Sequence, residues 1–118
     1  MKYFTFELNG KEINLRLTSQ DIVKIEDTYK TKMLDYIQDY SIKTITNLLR
    51  YMRRGGGDKS FSQDDAEQFF DELVDNGWAL QKIMTDLIMP TCVVSGLLTE
   101  SDLQMIQDKT EELKATQQ

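Results

Sequence analysis

The stretch from Phe4 to Leu15, FTFELNGKEINL, decides the fold of the first part of the chain. Two runs of alternating apolar and polar residues flank Asn9-Gly10, a strong hairpin signal because a type I′ turn needs positive φ at both central positions. With Asn9-Gly10 as the loop, three pairs of facing residues lie on the apolar side of the hairpin: Phe4 with Leu15, Phe6 with Ile13 and Leu8 with Lys11. An isolated hairpin is marginal in water, so we expect helices to cover its apolar face.

The rest of the chain carries apolar residues at helical spacing and predicts about five helices packed as a small bundle. Thr18, Ser62 and Thr99 stand where N-caps are expected. A helix beginning at Trp78 is apolar around most of its circumference, which predicts the most buried helix, kinked by Pro90. The fold class expected is α+β, mainly α. We predict one domain, 1–118, with these parts: hairpin 1–17, helices 18–54, Gly-rich flexible loop 55–61, helices 62–96, and C-terminal helix with polar tail 99–118.

The composition excludes several classes of protein. The chain has 118 residues, 14 Lys+Arg, 20 Asp+Glu, a net charge of −6, one Cys and no His. One Cys cannot form an intramolecular disulfide, and the N-terminal residues contain no apolar run typical of a secretion signal. No apolar stretch approaches the roughly 20 residues of a membrane span. We therefore expect a cytoplasmic protein with no membrane partner.

The residues available for catalysis or metal binding are few. Without histidine, the chain lacks the commonest general base and metal ligand. Cys92 has no histidine to activate it and is interpreted as a small buried hydrophobe. The segment 55–60, GGGDKS, has a Lys-Ser pair after glycines, but its spacing differs from that of a P-loop. We therefore expect no enzyme activity, no cofactor and no metal.

The charge is distributed unevenly along the chain. Residues 1–62 hold 11 basic and 8 acidic residues, a net of +3, whereas residues 63–118 hold 3 and 12, a net of −9. An anionic half would repel nucleic acid and favour basic proteins or the basic half of another copy; solubility alone is the other interpretation. The candidates for head-to-tail self-association are four charged residues: Arg53, Arg54, Asp71 and Asp75.

A second set of candidates is apolar and concerns binding of a protein partner. Methionine side chains are flexible and suit surfaces that accept varied apolar partners, although they also fill gaps in cores. Leu97 and Leu98 follow Gly96 in a predicted turn, where a loop seldom buries two leucines by itself. The predicted partner-binding residues are five: Met84, Met89, Leu97, Leu98 and Met105.

The order of these elements over residues 3–95 resembles the tail assembly chaperones of long-tailed phages and prophages. The resemblance rests on the turn at 9–13 (NGKEI), the sequence at 33–35 (MLD) after the first helix, Leu48-Leu49, the acidic start at Asp64, and the later apolar spacing of Leu80, Ile83, Leu87 and Ile88.

That resemblance implies a non-enzymatic protein that binds the tape measure protein and keeps it soluble until tail tube subunits polymerise around it. It also implies a homo-oligomer, a frameshifted longer form of the same chain, contact with the tail tube protein, and location in the bacterial host cell rather than in the mature virion. The alternative is a phage structural connector or a small regulatory adaptor.

Overall fold

The computed structural model describes the backbone of residues 2–116 and the side chains of residues 2–109. Over these residues the protein is α+β and mainly α, with an antiparallel two-stranded hairpin followed by six helices. The count of six, against a prediction of about five, includes the four-residue helix that follows the first one. The elements are β1 Phe4–Leu8, β2 Lys11–Leu15, α1 Ser19–Tyr29, α2 Met33–Tyr36, α3 Ile42–Gly55, α4 Gln63–Asp75, α5 (Leu80–Ile83, Met84–Ile88 and Met89–Val94) and α6 Glu100–Thr116.

The hairpin has the predicted register, with Phe4 opposite Leu15 and Phe6 opposite Ile13. Asn9 and Gly10 both have positive φ, 52° and 78°, as a type I′ turn requires. Helices α3 and α5 supply most of the core beneath the hairpin. The fully buried side chains shared by these layers include Leu15, Leu17, Leu48, Leu49, Met52, Ile83, Leu87 and Ile88.

The three predicted N-caps, Thr18, Ser62 and Thr99, are each confirmed by side-chain hydrogen bonds. Thr18 and Asp21 form a capping box at α1, and Ser62 and Asp65 form another at α4. At α6 the Thr99 hydroxyl accepts from the Asp102 N–H at 3.1 Å, while the Asp102 carboxylate accepts from the Thr99 N–H at 3.0 Å. These reciprocal bonds satisfy N–H groups that have no partner within a helix.

The glycine loop predicted at 55–61 begins one residue later in the structure. Helix α3 continues through Gly55, which is buried, and Gly56 caps it with ordinary helical angles. A Cβ at Gly55 would overlap the main-chain oxygen of Arg16, and a Cβ at Gly56 would overlap that of Asn14. Gly55 and Gly56 therefore allow helix α3 to approach β2 closely, and of the three consecutive glycines only Gly57 has positive φ, 118°.

Helix α5 also differs from its prediction, because it begins at Leu80 instead of Trp78. Trp78 lies before the helix, with its ring 5.8 Å from that of Phe6 on the hairpin. A π-helical turn, Met84–Ile88, ends two residues before Pro90, and the wider turn accommodates the proline within a continuous helix.

The last helix, α6, extends to Thr116 and includes part of the segment predicted as a polar tail. Residues 117 and 118 of that predicted tail lie outside the described residues. None of the helices within residues 2–116 combines the length and hydrophobicity needed to cross a membrane.

Candidate protein-docking groove

A groove lies where the segment from α2 to the start of α3 faces α5 and α6. It consists of two adjoining hollows of about 400 Å³ and about 480 Å³, and both are bordered by Tyr40, Met89 and Ile106. We call the two hollows together the docking groove. Its lining is mainly apolar, and each hollow falls within the range of roughly 300–1,000 Å³ that is typical of ligand pockets.

All five predicted partner-binding residues line the docking groove. Met84 borders the first hollow, Met89 borders both, and Leu97, Leu98 and Met105 border the second. Their accessibilities differ: Met84 and Met89 are buried, Leu97 and Leu98 are partly buried against the core, and Met105 is 60% exposed. The two buried methionines therefore form the floor of the groove, whereas Met105 lies at its mouth.

The sequence interpretation missed two residues on the opposite wall. Leu34 in α2 and Tyr40 before α3 line the docking groove and are 48% and 58% exposed. Leu34 lies in the short helix α2, and Tyr40 lies in a polar stretch, QDYS at 38–41, where a large aromatic residue is the available signal. Their exposure leaves apolar surface on both sides of the groove.

The π-helical turn borders the first hollow through Met84 and Thr85. The Met89 N–H donates to the Met84 carbonyl, five residues back, and so does not donate to the Thr85 carbonyl. The next residue, Pro90, has no N–H to donate. The Thr85 carbonyl therefore accepts from neither of these two residues, and Thr85 itself borders the first hollow.

Of the four charged residues predicted for head-to-tail self-association, Arg53 and Arg54 also make contacts within the protein. The Arg53 guanidinium lies 4.5 Å from the ring centre of Phe61 and 4.8 Å from that of Phe69, and pairs with Asp58 at 3.6 Å. Burial lowers the pKa of Arg53, an effect that the Asp58 carboxylate opposes. Arg53 therefore holds the connection between α3 and α4 together.

Arg54 is engaged in the same connection, because its Nε donates to the main-chain oxygen of Phe61 at 2.6 Å. Asp71 and Asp75 are exposed on α4. The two arginines thus make contacts within the protein while staying partly exposed, and self-association through the four charged residues stays a prediction.

Cys92 is fully buried in α5, as its interpretation as a small hydrophobe predicts. Burial raises the pKa of its thiol from 9.0 to about 12, so the thiol stays protonated near neutral pH. Among the described residues, no group of three or more His, Cys, Asp or Glu side chains is arranged to hold a metal ion.

Comparisons with known proteins identify no family for this chain. A scan against models of protein families, a search of curated proteins and a search of solved structures each gave no match.

Proposed function

We propose that this protein is a phage or prophage tail assembly chaperone that binds an apolar segment of the tape measure protein and keeps it soluble during assembly. The observation that carries the proposal is the docking groove, because it gathers all five residues that were selected from the sequence as partner-binding. The resemblance described above supplies the identity of the partner.

The docking groove has the properties expected of a surface that binds helices. It runs between helical elements, its floor contains two methionines, and apolar side chains stand on both sides of it. Helices bind such grooves through apolar residues spaced along one face, and methionine adapts to different shapes of partner. The long helical tape measure protein would offer many segments of this kind.

The remaining parts of the proposal concern assembly. The chaperone acts in the cytoplasm of the bacterial host, associates with further copies of itself and with a frameshifted longer form, contacts the tail tube protein, and is released before the virion matures. It performs no catalysis. Exposed Asp71 and Asp75 offer anionic groups for contacts between copies, since both lie in the half of the chain with a net charge of −9.

The test is co-expression of the tagged protein with the long helical protein encoded beside its gene, measuring both capture and solubility of that partner. We expect capture and rescue of solubility by the wild-type protein. Met105→Glu places a charge at the mouth of the docking groove and should abolish both effects. Val23→Glu is the matched control, because Val23 is 55% exposed on α1 and does not line the groove.

Two outcomes would overturn the proposal. A partner that stays soluble alone and is not captured would contradict the chaperone function. Equal loss of capture by both variants would show that the docking groove is not the binding site. Recovery of the protein in purified virions would favour the alternative, a structural connector.

A further inference from the structure

We propose that the outer edge of strand β1 pairs antiparallel with the same edge of a second copy, with Thr5 opposite Thr5 on the two-fold axis. The pairing joins two hairpins into one four-stranded sheet. The inference gives a surface to the self-association within the proposed function and rests on that part alone, without depending on the docking groove or its occupant. Three observations carry it: unused main-chain groups along β1, incompletely covered aromatic side chains beside them, and a sequence that matches itself in this register.

The outer edge of β1 carries main-chain groups without partners. In a hairpin closed by a two-residue turn, Leu8 and Lys11 form a hydrogen-bonded pair, and the bonded pairs then alternate with unbonded ones. Thr5 and Glu7 belong to unbonded pairs, so their N–H and C=O groups point away from β2. Within the described residues, no helix, loop or side chain forms a hydrogen bond with these main-chain groups.

The outer edge of β2, by contrast, is covered by the end of α3. The Arg16 N–H, two residues beyond Asn14 on that edge, donates to the Met52 carbonyl at 3.0 Å. Gly56 lies against the main-chain oxygen of Asn14. The hairpin therefore has one covered edge and one uncovered edge. An uncovered edge is a template for pairing with another strand, and β1 has neither a proline nor a bulge to prevent this.

The helices leave the apolar side of β1 incompletely covered. Ile13 and Leu15 on β2 are 8% and 0% exposed, whereas Phe4 and Phe6, which face them on β1, are only partly buried against the core. The two phenylalanine rings lie 6.3 Å apart along the strand. The helical layer therefore ends near β1, and a strand added at this edge would bury the remaining apolar surface.

The sequence around Thr5 matches itself in the antiparallel register. Pairing Thr5 with Thr5 of the second copy places Phe4 opposite Phe6 and Tyr3 opposite Glu7. Aromatic pairs and threonine pairs across strands are favourable, and no like charges face each other in this arrangement. This register uses the outward main-chain groups of Tyr3, Thr5 and Glu7, whereas a register centred on Phe6 would leave those of Tyr3 unpaired.

The experiment measures association of the full-length protein alone by sedimentation, from about 1 μM to about 1 mM, because a short strand edge gives a small and weak interface. We expect a concentration-dependent equilibrium between monomer and dimer. Thr5→Pro removes an N–H that the hairpin does not use and should weaken the dimer at least tenfold. Thr5→Val is the matched control, since it also loses the hydroxyl that donates to Asn14 at 2.7 Å but keeps the N–H.

Circular dichroism checks that the variants are folded. If Thr5→Pro does not fold, Thr5→Lys tests the same pairing, because it places two lysines opposite each other on the axis.

Single cysteines test the register. Thr5→Cys lies on the two-fold axis, where the Cα atoms of a hydrogen-bonded pair are about 5.5 Å apart, within the range of a disulfide. Glu7→Cys lies on the same edge but faces Tyr3 of the second copy, so it is the matched control. Mild oxidation should cross-link Thr5→Cys into a dimer and leave Glu7→Cys monomeric, while the native Cys92 stays buried.

Three outcomes would overturn the inference. The first is a protein that stays monomeric over the whole concentration range, and the second is equal association of Thr5→Pro and Thr5→Val. The third is cross-linking of Glu7→Cys as strong as that of Thr5→Cys, because the proposed register puts Thr5 on the axis. Capture of the helical partner is measured separately, so each of these results would leave the docking function standing.

Discussion

Gly55 and Gly56 show how single residues set the distance between two elements. Main-chain oxygens of Arg16 and Asn14 occupy the space where their Cβ atoms would stand, and the Arg16 N–H donates to the Met52 carbonyl at 3.0 Å. This contact covers the outer edge of β2 with the end of α3. In the sequence, a run of three glycines indicates backbone freedom, but in the structure two of them permit close packing.

Gly55→Ala therefore tests whether alanine at this position raises or lowers the free energy of unfolding. Alanine favours a helix over glycine by about 1 kcal/mol, so α3 taken alone would gain stability. The overlap with the Arg16 oxygen should reverse this and lower the free energy of unfolding by roughly 1–3 kcal/mol. Urea denaturation measures it, with Glu67→Ala on exposed α4 surface expected within about 0.5 kcal/mol of wild type. Increased stability of Gly55→Ala would show that the two elements can move apart freely.

At the scale of elements, the caps and the π-turn determine where helices begin and how they bend. Caps are local, since the donor and the acceptor lie three residues apart, and the sequence predicted them correctly at α1, α4 and α6. The π-turn is different, because a wider turn before Pro90 depends on the surrounding core holding Met84, Leu87 and Ile88 in place.

Removing the cap of α1 gives a prediction at this scale. In Thr18→Ala the Asp21 N–H loses the hydroxyl that accepts from it at 3.2 Å. The free energy of unfolding should fall by about 1 kcal/mol, measured by urea denaturation. Thr28→Ala is the control, because Thr28 is exposed in the same helix and caps nothing. Equal effects of the two substitutions would contradict a role for the capping box.

At the scale of the whole molecule, the hairpin and the helices share one core. Leu15 and Leu17 are 0% and 1% exposed beside helical residues, and Phe6 contacts both Phe69 and Trp78. The hairpin therefore gains from the helices the burial that two strands alone cannot provide.

This shared core predicts a single cooperative unfolding transition. Far-UV circular dichroism reports the helices, and Trp78 fluorescence reports contact with the hairpin, so the two midpoints in urea should coincide. Leu15→Ala should shift both together, by about 2–5 kcal/mol. If that variant does not fold, Ile13→Val should shift both by about 0.5–1.5 kcal/mol. A fluorescence transition that moves alone would show the hairpin unfolding independently.

The sequence by itself determined the hairpin, its register, the helix caps and the mainly helical class, because these depend on residues within a few positions of one another or on a simple period. It also selected five apolar residues for partner binding. Only the tertiary structure brought those five to one groove, added Leu34 and Tyr40 to its wall, and placed Arg53 and Arg54 against the segment that joins α3 to α4. These features depend on which faces of distant elements meet, as do the close approach at Gly55 and the π-helical turn before Pro90.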